Sequence, residues 1–170
     1  MRTLYLLRHA KSSWEDATID DFDRPLARRG IEAAPRMAEL MKQEGWIPDT
    51  VLCSAARRAV ETLELIAPIL QLDGSARIER DLYMADPQSM LDRLRALPEE
   101  SSAVLLIGHN PGHEGLAKKL SGDGRKNALK RLRKKYPTGA LAVIRFATQS
   151  WAGVAEGSGY LEAFVRPKDI

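Results

Sequence analysis

Leu4-Tyr5-Leu6-Leu7-Arg8-His9-Ala10 decides how this chain is read. Four apolar residues in a row near an N-terminus read as a buried strand. Such a strand ending in Arg-His carries a cation and an imidazole at its C-terminal edge, where open α/β sheets place their ligand sites. Two later stretches repeat the arrangement. Thr50 to Cys53 runs into Ser54-Ala55-Ala56-Arg57-Arg58-Ala59, and Ala103 to Ile107 runs into Gly108-His109-Asn110-Pro111. Three strand ends bearing Arg or His imply one shared anion-binding pocket.

The remaining pattern alternates strand and helix signals. Residues 28–44 read as a helix with Ile31, Met37, Leu40 and Met41 apolar and Gly45 beyond its end. Pro35 lies inside it and is expected to kink or split it, at about 3 kcal/mol if unrelieved. A second helix is expected over Ala56–Leu70. Asp86 and Pro87 suit an N-cap and first helical position for a third, to Leu97. Gly112–Leu120 reads as a fourth. Ala140 to Ile144 reads as a buried strand, and Trp151–Val154 with Tyr160–Val165 as a hairpin around Glu156-Gly157-Ser158-Gly159. The whole is expected to be one α/β domain over residues 1–170 with a mixed sheet.

Composition narrows the classes. A chain of 170 residues, 44% hydrophobic and 29% charged, can bury a proper core and is neither disordered nor fibrous. No apolar stretch approaches a membrane span, and Arg8 breaks the signal-peptide layout, so a cytoplasmic location is expected with no membrane partner. Cys53 has no thiol to pair with and reads as buried in a strand. Charge is uneven. Residues 118–135 hold nine basic residues against Asp123 alone, leaving 17 basic and 22 acidic residues elsewhere. This segment reads first as a solvated helix face, and second as a docking surface for an acidic partner or a phosphate ester. Nucleic acid is not expected, because no aromatic stacking platform precedes Tyr136.

The residue types fit phosphoryl transfer. Positioning and neutralising the equatorial oxygens is most of that task. Guanidinium stays charged and forks onto two oxygens, and an imidazole with a free nitrogen can attack phosphorus. No glycine-rich phosphate cradle is present. Arg57 reads as a solvated helix residue. His113, four residues after His109, raises a zinc pair, but no third ligand is evident and no metal is expected.

On Arg8-His9-Ala10, on Ser54, Arg58, Ala59 and Thr62 at their spacing, and on Gly108-His109, the chain resembles the histidine phosphatase superfamily, with its phosphoglycerate mutase-like fold. Lys11 to Trp14, and Arg24-Pro25-Leu26 before Gly30, extend the likeness. The short length and the opening point to the SixA-like phosphohistidine phosphatases. The resemblance implies a three-layer fold, with a mostly parallel mixed central sheet flanked by helices. It implies His9 as the nucleophile that becomes phosphohistidine, with Arg8 and Arg58 on phosphoryl oxygens and His109 stabilising charge. No cofactor is implied. Ser12, Arg24 and Lys11 are expected at the rim, the first two as phosphate contacts.

Two departures shape the substrate. Asp81 to Asp86 offers no carboxylate where the larger relatives keep a general acid; Asp86 is near, but capping is its expected job. Glu15 stands where mutases have a phosphate-contacting asparagine, and should point away from the anion. An alkoxide leaving group needs a proton donor, whereas imidazole is protonated readily near neutral pH. Phosphohistidine on a protein, docking on residues 118–135, is therefore the expected substrate, acted on by a monomer. A broad small-metabolite phosphomonoesterase and a catalytically weak phospho-ligand binding module are the alternatives.

Overall fold

Leu4 and Leu6 pack on one side of the first strand, Tyr5 and Leu7 on the other, and all four are buried. A strand buried on both faces needs helices above and below it. The computed structural model describes residues 1–170 and shows that arrangement. Its strands are β1 (Arg2–Arg8), β2 (Thr50–Ser54), β3 (Arg77–Glu79), β4 (Ala103–Gly108), β5 (Ser121–Gly124), β6 (Leu141–Phe146) and β7 (Gly159–Val165). They form one sheet in the order β3-β2-β4-β1-β6-β7-β5. The β1–β4, β2–β4, β2–β3 and β5–β7 pairings are parallel, whereas β6 runs antiparallel to both β1 and β7.

The helices are α1 (Arg28–Gln43), α2 (Arg57–Leu70), α3 (Pro87–Arg95), α4 (Gly112–Leu120) and α5 (Lys126–Lys134). Met37 and Met41 of α1, with Ile66 and Leu70 of α2, join Tyr5, Leu7, Cys53 and Ile107 on one face of the sheet. Leu91 and Leu94 of α3, Leu116 and Leu120 of α4, and Leu132 of α5 cover Leu4, Leu6, Leu52 and Leu106 on the other. Each such leucine contributes about 1.5–3 kcal/mol by leaving water. The result is the expected three-layer architecture, with a mixed, mostly parallel sheet between two layers of helices. No helix is long and apolar enough to cross a membrane.

Register sets the strand ends level. Arg8 pairs with Gly108 and Cys53 with Ile107, so β1, β4 and β2 finish side by side. His9 and His109 follow immediately, and the His9 N–H donates to the Gly108 carbonyl at 3.0 Å.

Three expectations need correction. Trp151–Val154 is not a strand: Trp151–Gly153 is a 3-10 turn that buries Trp151 and Val154. The indole N–H donates to the Ser101 carbonyl at 2.5 Å and the ring packs edge-on to Phe146. Tertiary burial of the indole outweighs the local strand pattern, and β7 pairs with β6 instead. Pro35 does not split α1, which runs unbroken. The carbonyl that loses its donor belongs to exposed Ile31, where water can satisfy it. Residues 118–135 are not one helix face. They span the end of α4, β5 and α5.

Candidate active site

His9 is 4% exposed, and its hydrogen bonds define its tautomer. Nδ1 lies 2.7 Å from the Ala10 carbonyl, which can only accept, so Nδ1 carries the proton. Arg58 Nε donates to His9 Nε2 at 3.3 Å, which requires a lone pair there. Burial, reinforced by His109, Arg58 and Arg8, pushes His9 down to about 2. The ring is thus a neutral imidazole with Nε2 unprotonated.

The His109 ring stands 5.2 Å from that of His9, tilted by 52°. Its Nε2 is 2.8 Å from Ser54 Oγ, which accepts the Ala56 N–H at 3.2 Å. Burial and the Arg58 charge lower His109 to about 3. Its ring does not cap α4; the Asn110 Oδ1 accepts the Glu114 N–H instead. Arg8 donates through Nη1 to the Tyr136 carbonyl at 2.8 Å, and burial above all lowers its pKa. His109 Nδ1 and Arg8 Nε are buried without partners. Orphaned buried polar atoms call for a ligand or water, and a tetrahedral oxyanion can satisfy both types.

Arg58 is 3% exposed and held on all sides. Its Nη2 meets Asp21 Oδ2 at 3.0 Å and its Nη1 the Asp21 carbonyl at 2.6 Å. Asp21 also takes Arg24 Nε at 3.1 Å and the Tyr83 hydroxyl at 2.5 Å. The Tyr83 bond, with help from the two arginines, holds the Asp21 carboxyl at about 2. Tyr83 stands edge-on to His109 at 5.4 Å. No motif or periodicity marks Asp21 or Tyr83; the one signal in the sequence is the acidic loop Asp20-Asp21-Phe22-Asp23 just before Arg24.

Other expected residues take different places. Arg24 Nη1 donates to Ser12 Oγ at 2.7 Å, and the Trp14 ring lies over the Arg24 guanidinium. Ser12 and Arg24 therefore hold one another, and Arg24 reaches Arg58 through Asp21. Lys11 is exposed. Thr62 Oγ1 accepts the Ala10 N–H at 3.0 Å and donates to the Arg58 carbonyl at 2.7 Å, tying the segment after β1 to the first turn of α2. Arg57 pairs with Glu61 on the helix surface, and Glu15 is exposed. Asp86 is exposed and accepts the Ser89 N–H at 2.7 Å as the cap of α3. His113 is fully buried with Nε2 3.1 Å from the Leu106 carbonyl, and burial lowers it to about 4. A Cβ on Gly108 would lie 2.6 Å from its ring, so only glycine lets β4 pass so close.

The model of the histidine phosphatase superfamily (branch 1) matches residues 4–82, a stretch that holds Arg8, His9 and Arg58 but not His109. An uncharacterized protein of Mycobacterium tuberculosis is 35% identical over 164 residues, covering 95% of this chain and 100% of its own length. A structure from Agrobacterium tumefaciens designated SixA is 28% identical, with a TM-score of 0.81 and 98% of each chain covered. The protein histidine phosphatase SixA complexed with tungstate is 25% identical, with a TM-score of 0.79 and 98% of each chain covered.

Proposed function

This chain belongs to the histidine phosphatase superfamily, in its SixA-like branch, and on that premise we propose that it hydrolyses phosphohistidine on a protein through His9. The observation that carries the reading is the neutral His9 with a lone pair on Nε2, one guanidinium contact away from Arg58. Nε2 attacks phosphorus, forming a new N–P bond as the substrate's P–N bond breaks. Arg8 and Arg58 neutralise the equatorial oxygens. His109, receiving the Ser54 hydroxyl at Nε2, keeps its proton on Nδ1 for a third hydrogen bond to the anion. Water then attacks the phosphohistidine, releasing inorganic phosphate and restoring His9. Tungstate, the ligand of the similar SixA structure, is a tetrahedral oxyanion of the kind this pocket would hold.

The absence of a placed acid supports the substrate class. Asp21 is ionised and ion-paired, and Asp86 is committed to a helix end, so neither carries a proton to a leaving alkoxide. Imidazole takes its proton from solvent at neutral pH. Because the arginines supply the neutralisation, turnover is expected to survive a chelator.

Incubation with phosphoramidate and mapping of the modified residue tests the reading. Phosphate on His9 is expected, and His9→Ala should show none. Turnover of phosphoramidate should exceed that of a simple alkyl phosphate by about 100-fold or more, the usual worth of a positioned general acid. Equal turnover of the two, or label on another residue, overturns it.

A further inference from the structure

A cleft of about 820 Å³ lies outside the histidine pair. It opens beside it, with Ala10 and Gly139 in its wall. The Gly139 N–H donates to the carbonyls of His9 and Arg8, at 2.9 and 3.1 Å. Eight lysines and arginines line this cleft against one acidic side chain, Glu32, which already pairs with Arg28 outside it.

Some of those charges are compensated. Arg131 and Arg166 share Asp169, and Arg36 donates to the Ile170 main-chain oxygen. Lys11, Arg29, Lys134, Lys135 and Lys168 have neither an ion pair nor a side-chain hydrogen bond. They come from four separate stretches of chain, so their convergence is a property of the fold rather than of one basic helix face. Five uncompensated cations around a concavity repel one another and concentrate anions. The volume falls within the roughly 300–1,000 Å³ of small-molecule sites, and concavity favours a compact ligand over the flat face of a protein. With three hydrophobic residues among its 16, the lining has little to offer an apolar ligand.

We propose that this cleft binds a compact polyphosphate, a molecule with several adjacent phosphate groups, at a site separate from the one that transfers phosphoryl groups. Lys11, Arg29, Lys134, Lys135 and Lys168 neutralise it, and Arg36 can turn from the Ile170 oxygen to join them.

Calorimetric titration with tripolyphosphate tests this, in the His9→Ala background so that the ligand stays intact. Tripolyphosphate should bind one per chain, more than about tenfold tighter than orthophosphate, with affinity falling as salt rises. Lys134→Glu with Lys168→Glu should weaken it by at least about tenfold, and Arg58→Ala by less than about threefold. In the unsubstituted protein the amide resonances of Lys134, Lys135, Gly139 and Lys168 should shift on titration, which decides the matter even if the charge-reversed variant folds poorly. Three results overturn the proposal: loss of binding in Arg58→Ala with retention in the lysine variant, unshifted resonances at those four amides, or hexaglutamate binding as tightly as tripolyphosphate. The last would assign the cleft to an acidic protein segment.

Discussion

Asp21 and Arg58 show what a single carboxylate does inside an anion site. A guanidinium left alone among Arg8, His9 and His109 would swing between orientations, and its donors would face the pocket only part of the time. Asp21 fixes it from behind through Nη2 and the backbone carbonyl, leaving Nε on the His9 lone pair. Asp21→Asn removes the charge that holds the fork while keeping its shape. The kcat/KM for phosphoramidate should fall about tenfold, the lower end for losing a group that orients a primary contact. Since Arg58 still carries its charge, KM should change more than kcat. Steady-state kinetics at fixed ionic strength checks this. Arg8, His9, Arg58 and His109 were legible in the sequence because each follows the end of an apolar run, and strand ends in such sheets converge. Asp21 and Tyr83 sit in loops with no periodicity, and they meet Arg58 only through the fold. The bond from Arg24 to Ser12, and the one from Arg24 to Asp21, are likewise contacts that only the fold creates.

Elements whose reading rested on a capping or periodic signal with a physical mechanism came out where expected. Asp86 accepts the Ser89 N–H and Pro87 opens α3. Because that cap is exposed and its hydrogen bonding stays within the first turn of α3, Asp86→Ala should cost about 1 kcal/mol of stability. It should leave phosphoramidate turnover unchanged, since Asp86 carries no proton in the reaction. Chemical denaturation and a turnover assay on the same variant check both halves; loss of activity would return Asp86 to the role of acid. Elements without such signals were missed or misread. β5, Ser-Gly-Asp-Gly, has no apolar residue and exists because its backbone pairs with β7. A Cβ on Gly122 would lie 1.9 Å from the Gly157 carbonyl, so the close approach of those two segments, not side-chain pattern, makes the strand. Trp151 went the other way, its pattern suggesting a strand while its indole found a better partner at Ser101.

At the scale of the molecule, three buried imidazoles tie stability to pH. Burial lowers His9 to about 2, His109 to about 3 and His113 to about 4. The unfolded chain binds a proton at each below about pH 6.5, and the native state does not. Stability is therefore complete above that value and drains as pH falls toward 4. The slope approaches about 1.4 kcal/mol per pH unit for each histidine. Asp21 and Asp169, both lowered to about 2, add a loss of the same sign only below the ordinary aspartate range. Scanning calorimetry should show Tm level above pH 7 and falling steadily from 6.5 to 4.5. A flat profile would mean that the native protein protonates these rings.

The sulfur of Cys53 lies in the middle of that same layered structure, 0% exposed, with its thiol pushed up to about 12 by burial. Thiolate, not thiol, attacks alkylating reagents, so in the folded chain the group is silent to them. It reacts only when β2 parts from its neighbours. The rate of alkylation in native buffer therefore times the spontaneous opening of the sheet. The protein carries its own intrinsic clock for unfolding, with no label to be engineered in.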